Sequence, residues 1–563
     1  MRNAMNLCIA VLAAALIAAC SDNSSNNTGS TDSSGARGSL MQNPPVRVAS
    51  LTAADFTAEL NASPSGQQLL QVTGPASCGV DFHYIQYGTV GGAGEGTSAS
   101  GALMVPTGTG LTDKGVPCGG PQPILLYAHG TATDRGTNLA DITNPNNVEG
   151  VLIAATFAAH GYIVIAPNYA GYDSSPLPYH PFLNAVQQSS EMIDALTAGR
   201  KALGNIFAAG TTDNHKLFIT GYSEGGYVAM ATHKAMQTAG LPVTASGPMS
   251  GPYALEAFGD AVFLGDVNIG STIFTPLIAT SYQRAYGVPT ADLFEAAYAT
   301  GIDTLFPNTT PLATLFANGR FPQTFLFNST APVMADIPGT TPGPVTTALL
   351  ALFPTITPPL AVPPITAGQA AIFALGFGPT LTNPQTNLVK NSYRAGYLAD
   401  VLTNPDGAVP GLGTNGLLAA TPAHPLRIAF KLNDMRTWVP ATAPVLLCGG
   451  HQDPTVFYAN TQVMQAFWGP QLPVQLPLTV IDVDPVPNPP VGPLQNGFAT
   501  AVNATSTAAF NTAFNADIAA GFTVPDATAA ATAAAQSAVV QNYHGTLVPP
   551  FCAAAVRGFF ANF

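Results

Sequence analysis

Five short apolar runs, each bordered by stretches of helical character, most constrain how this chain folds. PILLYAHGT starts at Pro123, YIVIAPNY runs from Tyr162 to Tyr169 and KLFITGY from Lys216 to Tyr222. PVLLCGGHQD runs from Pro444 to Asp453, and PLTVIDVD from Pro477 to Asp484. They are continuously apolar rather than alternating, which is the pattern of strands buried on both faces in a parallel sheet. Helical stretches separate them: VEGVLIAATFAAHG, a segment from Asn184 to Leu203 with Val186, Met192, Ile193 and Leu196 on one face, and another from Val456 to Phe467. Strands alternating with helices predict an α/β fold, a mostly parallel sheet flanked by helices. GALMVP (Gly101 to Pro106) adds an early strand, and VTASGPMSGPY (Val243 to Tyr253) continues the series.

After Tyr253 the alternation stops. From Ile337 to Val389 there is no Asp, Glu, Lys or Arg, and Pro354, Pro358, Pro359, Pro363 and Pro364 interrupt any helix long enough to cross a membrane. We read residues 254–425 as an inserted cap that divides a core into residues 47–253 and 426–563. A second insertion, rich in Ala, Thr and Asn, covers residues 485–540. The chain of 563 residues, 47% hydrophobic and 8% charged, can bury a large core and is not disordered. Its 17 basic and 30 acidic residues give a net charge of -13, with no basic cluster to track a phosphate backbone, so nucleic acid is not expected as a partner.

The opening MRNAMNLCIAVLAAALIAAC joins Arg2 to an apolar run from Leu7 to Ala19, too short to span a bilayer comfortably and typical of an export signal. Its end, Leu16-Ile17-Ala18-Ala19-Cys20, resembles the bacterial lipobox, which implies a signal peptide over residues 1–19 and lipidation of Cys20. The Ser/Asn/Gly-rich stretch that follows reads as a flexible tether over residues 20–46. The resemblance implies an exported protein lipid-anchored to a bacterial membrane. Ser21 after the cysteine favours the outer membrane or cell surface. Once Cys8 leaves with the signal and Cys20 takes lipid, Cys78, Cys118, Cys448 and Cys552 remain, and four cysteines allow three pairings. An even number in an exported chain reads as two disulfides. With no CxxC or HExxH pattern, no metal site is expected.

GYSEGG (Gly221 to Gly226) matches G-x-S-x-G, a string that a chain with 55 glycines would carry by chance about a third of the time. Its context decides: it follows an apolar strand and opens a helix, the setting of a nucleophile elbow. Gly221 and Gly225 leave room for a sharp turn, and Ser223 projects from it at the positive end of the helix. A serine hydroxyl needs a base, and the base needs an orienting carboxylate. Asp453 follows an apolar strand at the carboxyl edge of the sheet, and His544 follows the last strand and precedes a final helix. They are the expected acid and base, with Asp482 and Asp484 as fallback acids and His451 and His160 as less well placed histidines. The oxyanion donors are expected to be the amides of Glu224 and Thr131, with Gly130 as the alternative and His129 shaping the loop.

HGT, APNYAGYDSS, GYSEGG, SGPY, NDMRTWVPATAPVLLCGGHQDPTV and the closing YHG together resemble the secretory lipase family of α/β-hydrolases, over approximately Pro123 to Tyr253 and Leu432 to Phe563. The resemblance implies the α/β-hydrolase fold with an inserted cap, and its serine, acid and histidine map onto Ser223, Asp453 and His544. Cys448 lies in the strand before the acid and Cys552 in the helix after the histidine, so a disulfide between them would tie the two elements together, leaving Cys78 for Cys118. The expected activity is carboxylic ester hydrolysis through an acyl-enzyme, without a cofactor, on apolar acyl esters or polyesters. The alternatives are a serine exopeptidase of the same fold, or a catalytically silent surface-binding lipoprotein.

Overall fold

The computed structural model describes residues 35–206, 210–330, 332, 372–380, 383, 385–409, 415–486 and 489–563. The expected signal peptide, Cys20, most of the tether and residues 337–371 of the uncharged stretch lie outside them.

Among the described residues nine strands make one sheet: β1 (Val46–Leu51), β2 (Gly79–Val90), β3 (Gly96–Thr107), β4 (Pro121–Ala128), β5 (Ile163–Pro167), β6 (Thr212–Tyr222), β7 (Ala245–Met249), β10 (Leu446–Gly449) and β11 (Thr479–Asp482). β8 (Phe327–Asn328) and β9 (Phe377–Gly378) pair with each other in a separate two-stranded sheet. The order is β1-β2-β3-β5-β4-β6-β7-β10-β11. Pairing is antiparallel from β1 through β5 and parallel from β5 to β11.

The continuous apolar runs have a direct cause. Along β4, Ile124 and Leu126 enter the core on one face of the sheet while Leu125 and Tyr127 enter the core on the other. Side chains alternate across a strand, so a strand covered on both faces must be apolar at every position. The register sets Leu125 opposite Val164 of β5 and Phe218 of β6. Helices at Ala185–Leu203 and Glu224–Thr238 pack against the strands, the first capped by the Asn184 side chain accepting from the Gln187 amide.

Residues 35–45 are not free chain. Arg37 bridges to Gly88 of β2 and pairs with Asp194 at 3.0 Å, and Leu40 bridges to Tyr87. Residues 35–45 of the expected tether are therefore ordered chain, held by backbone pairing with β2 and one ion pair. Cys448 bonds Cys552, and Cys78 bonds Cys118.

The expected insertion over residues 485–540, which shows no clear periodicity, is built on two helices, Pro493–Ala519 and Val524–Asn542, that pack on each other, the second running two residues past the expected end. Near their base Phe498 is buried, with its ring 5.7 Å from those of Tyr543 and Phe551. That contact seats the hairpin beside His544.

Between β7 and β10 the described residues form helices, among them Leu255–Leu264, Ser271–Tyr286 and Asn391–Thr403, joined by irregular chain. A buried ionic cluster joins this segment to the helix Pro425–Asn433 and the turn after it. Arg427 contacts Asp260 and Asp400 at 2.8 and 2.9 Å, and Arg436 contacts Asp406 and Asp434 at 2.6 and 2.8 Å. Glu256 lies 3.8 Å from Arg427, and burial together with Asp406 and Asp260 pushes its carboxyl up to about 8. Between its ordinary 4.5 and about 8 the folded chain holds a proton that the unfolded chain has released. Stability therefore falls as pH rises across that window. Glu256→Gln removes the titration and keeps an acceptor for the Ala419 amide. Urea unfolding at pH 5, 7 and 9 is expected to show the variant gaining about 1–5 kcal/mol on the native chain as pH rises. A difference that stays constant with pH would refute this account.

Candidate active site

The carboxyl ends of β4, β6 and β10 converge on one point. β6 ends at Tyr222, and Ser223 turns the chain into the helix Glu224–Thr238 with φ 60° and ψ -123°. This is a left-handed φ that side chains avoid, at a cost of about 1–3 kcal/mol. The Ser223 amide donates to the Met249 carbonyl at 3.0 Å, which helps hold the turn. A Cβ on Gly221 would strike the Gly225 carbonyl, and one on Gly225 would strike the carbonyl of Ala128. The two glycines therefore allow the elbow to sit against β4.

Three side chains expected from sequence meet here. His544 Nε2 lies 2.8 Å from Ser223 Oγ, and His544 Nδ1 lies 2.6 Å from Asp453 Oδ2. Asp453 Oδ1 accepts from the amides of Thr455 and Val456 at 2.9 and 3.0 Å, which fixes the carboxylate. Asp453 is 3% exposed and Ser223 9%, so the acid is enclosed while the hydroxyl still reaches a cavity.

His544 occupies a π-helical turn, Tyr543–Leu547, between the helices Val524–Asn542 and Val548–Phe560. Such a turn widens a helix locally and is often found at functional sites. Two tyrosines missed in the sequence reading support it. The Tyr222 hydroxyl donates to the His544 carbonyl at 2.6 Å, with its ring 5.0 Å from the imidazole. The Tyr543 hydroxyl donates to Asp484 at 2.6 Å. Tyr222 adjoins the serine in sequence, but nothing in the string marks its reach to a residue 322 positions away.

The other candidates have separate partners. His451 Nδ1 lies 2.7 Å from Asp482, which with burial opposing and the carboxylate prevailing raises its pKa. Asp484 accepts from Tyr543 and Gln452, and His160 pairs with Asp113 at 2.9 Å. Neither fallback acid contacts His544.

Thr131 and Glu224 both line the cavity at Ser223. The alternative donor, the Gly130 amide, instead donates to the Glu149 carboxylate at 3.0 Å, which also accepts from Tyr127 at 2.8 Å. Burial raises the Glu149 pKa against the pull of His129 and these donors. His129 is buried with Nδ1 2.6 Å from the Gly130 carbonyl and Nε2 3.1 Å from that of Asn168, within the loop and away from the triad contacts.

The cavity is walled by residues from the segment after β7, among them Leu255, Phe258, Val262, Phe274 and Ile278, and by Phe182 from the core. Glu224 is its one charged lining residue among the described residues. Its volume is about 90 Å³, several times the roughly 10–15 Å³ that one water requires. No group of three or more His, Cys, Asp or Glu among the described residues is placed to hold a metal.

Neither a protein-family model nor a curated protein gives a significant match to the chain. Solved structures do. A ligand-bound form of the rice cell wall degrading esterase LipA from Xanthomonas oryzae is 23% identical, with 80% of this chain and 91% of that chain covered and a TM-score of 0.56. Another LipA structure gives the same identity and coverage with a TM-score of 0.55. Candida antarctica lipase A, at 12% identity, 79% and 76% coverage and a TM-score of 0.38, is too distant to carry an argument. The two LipA likenesses show the fold, which is that of the α/β-hydrolases.

Gly225→Ala tests the fit of the elbow, because its added methyl must displace the Ala128 carbonyl or the helix. A loss of at least about 1–3 kcal/mol in urea unfolding is expected, together with a fall in fluorophosphonate labelling of the protein that remains folded. Unchanged stability would show that the elbow has slack that this geometry does not allow.

Proposed function

We propose that the chain is a serine carboxylic ester hydrolase that acts through an acyl-enzyme on esters with an apolar acyl group. One observation carries this reading: Ser223, His544 and Asp453 stand in hydrogen-bonded line at 2.8 and 2.6 Å, with the serine opening on an apolar cavity.

The chemistry follows from that line. His544 Nε2 takes the Ser223 proton as Oγ attacks the ester carbonyl, and the Asp453 carboxylate steadies the imidazolium that forms. The amides of Thr131 and Glu224 receive the developing oxyanion. His544 then returns its proton to the leaving alcohol, and water cleaves the acyl-enzyme by the same relay. Every step uses the chain and water alone.

The cavity supports the substrate class. Phe, Leu, Ile and Val side chains would favour an aliphatic or aromatic acyl group over a charged one. The Glu224 carboxylate faces His180 at 2.6 Å, so it presents a paired rather than an isolated charge. The peptidase alternative would call for charged groups at the cavity to hold a peptide terminus. Glu256 belongs to the buried ionic cluster, Arg284 lies over the Tyr179 ring, and neither they nor Glu295 and Arg320 line the cavity. The Xanthomonas oryzae protein to which the chain is similar is a cell wall degrading esterase, which agrees with the reading. We place the enzyme outside the cytoplasm, anchored through Cys20, on the strength of the lipobox and of two disulfides, which form in oxidising compartments.

Protein truncated before Ser21 is expected to hydrolyse p-nitrophenyl esters and to leave aminoacyl nitroanilides intact. Ser223→Ala should lower ester turnover by about four to six orders of magnitude and abolish fluorophosphonate labelling. Asp453→Asn should lower it about 10⁴-fold with labelling slowed in proportion. Ester turnover surviving in Ser223→Ala would refute the mechanism. Turnover of amides alone would replace it with the peptidase, and a native chain that takes no label would leave only a binding scaffold.

A further inference from the structure

Glu224 offers more to the site than its amide. It is the first residue of the elbow helix, yet its side chain turns into the protein and is 2% exposed. Oε1 accepts from Gln188 Nε2 at 2.6 Å and lies 2.6 Å from His180 Nε2, while Oε2 has no hydrogen-bond partner among the described residues. His180 is 1% exposed, and its Nδ1 faces the Ala170 carbonyl at 3.1 Å, which leaves Nε2 for the carboxylate. Burial alone would lower the His180 pKa, but Glu224 outweighs it and the balance is upward.

The His180 ring continues the connection. It stacks on Tyr169 with centroids 5.4 Å apart and a 16° tilt, and lies 4.9 Å from the ring of Tyr172. Tyr169 in turn stacks on His129 at 4.1 Å. The Tyr169 hydroxyl donates to the His129 carbonyl at 3.0 Å and the Tyr172 hydroxyl to the Ala132 carbonyl at 2.7 Å. These two bonds bracket Gly130 and Thr131. Tyr169 is held at φ 65°, a conformation that a bulky residue adopts only when its surroundings enforce it.

We propose that the buried His180–Glu224 pair, with Tyr169 and Tyr172, is a positioning unit that holds the two oxyanion donors, the amides of Glu224 and Thr131, in register. The inference rests on the ester hydrolase reading above. The unit reaches one donor through the Glu224 side chain and the other through the carbonyls on either side of Thr131, and it contacts neither His544 nor Asp453. Donors contribute to catalysis only where the oxyanion forms, so a small loss of register weakens the transition state more than substrate binding.

The test uses Glu224→Gln, His180→Gln, Tyr169→Phe and the Glu224→Gln/Tyr169→Phe double variant, beside the native chain. The readouts are kcat and KM on a p-nitrophenyl ester, thermal midpoint, and affinity for an aliphatic trifluoromethyl ketone. Ser223 Oγ adds to that ketone carbon, the carbonyl electron pair moves to oxygen as an oxyanion, and His544 keeps the serine proton. Each single variant is expected to lower kcat about 10- to 100-fold and to weaken ketone binding in parallel, with KM within about threefold and the midpoint held. Because the groups act as one unit, the double variant should lose little more than the worse single one. If His180→Gln fails to fold, Glu224→Gln and Tyr169→Phe carry the test, since both nearly preserve size. Native-like kcat in those two variants, fully multiplicative losses in the double, or losses that follow the thermal midpoint would overturn the positioning role and leave the hydrolase reading standing. A native chain that neither turns over esters nor binds the ketone would overturn both.

Discussion

The close approach of the elbow to β4, where Gly225 lies against the Ala128 carbonyl, is the contact on which the rest of the site depends. It lets one residue at φ 60°, Ser223, join the end of β6 directly to a helix, so that Ser223 stands above the sheet edge. It also sets the start of the elbow helix beside the loop after β4, which brings Glu224 and Thr131 to the same cavity. Strain of about 1–3 kcal/mol at one serine is sustained because β6 is held between β4 and β7, and the Met249 carbonyl at the end of β7 accepts from the Ser223 amide.

The partners of that serine come from far along the chain, and each is fixed by a different device. Asp453 is locked by amides two and three residues ahead of it, a local turn that needs no distant support. His544 depends on long-range contacts: the Tyr222 hydroxyl on its carbonyl, and the base of the helical hairpin beside it through Phe498. The disulfide between Cys448 and Cys552 closes this arrangement by tying β10 to the helix that follows the histidine across 104 residues. A cross-link over so long a loop restricts the unfolded chain strongly, and here it also fixes the two elements whose separation sets the acid–base contact.

Much of this was legible in the sequence, for physical reasons. Continuous apolar runs are forced by burial on two faces, so β4, β5, β6, β10 and β11 could be located, though their ends moved by a few residues where pairing rather than hydropathy decides. Small residues around Ser223 are a steric requirement and can be read as one. Side-chain networks gave no such signal. Glu149 removes Gly130 as an oxyanion donor, and His180 reaches Glu224 across 44 residues, because of tertiary packing that no periodicity encodes. The helical hairpin was equally silent: Ala, Thr and Asn without a clear apolar stripe left residues 485–540 unassigned, and its helices bury few side chains.

The division between the two kinds of information has a chemical consequence. Ser223 and Asp453 stand just past the ends of β6 and β10 and His544 on a turn between two helices, whereas the cavity is walled mainly by residues of the segment after β7. Two helices of that segment, Leu255–Leu264 and Asn391–Thr403, are tied through Asp260 and Asp400 to the ionic cluster of Arg427 and Arg436, whose buried carboxylates outnumber its guanidinium groups. Such a cluster gives directional attachment without filling the cavity, since its charges are satisfied away from the apolar wall. On the proposed reading, substrate selection can vary with the wall residues Phe258, Val262, Phe274 and Ile278 while Ser223, His544 and Asp453 stay fixed.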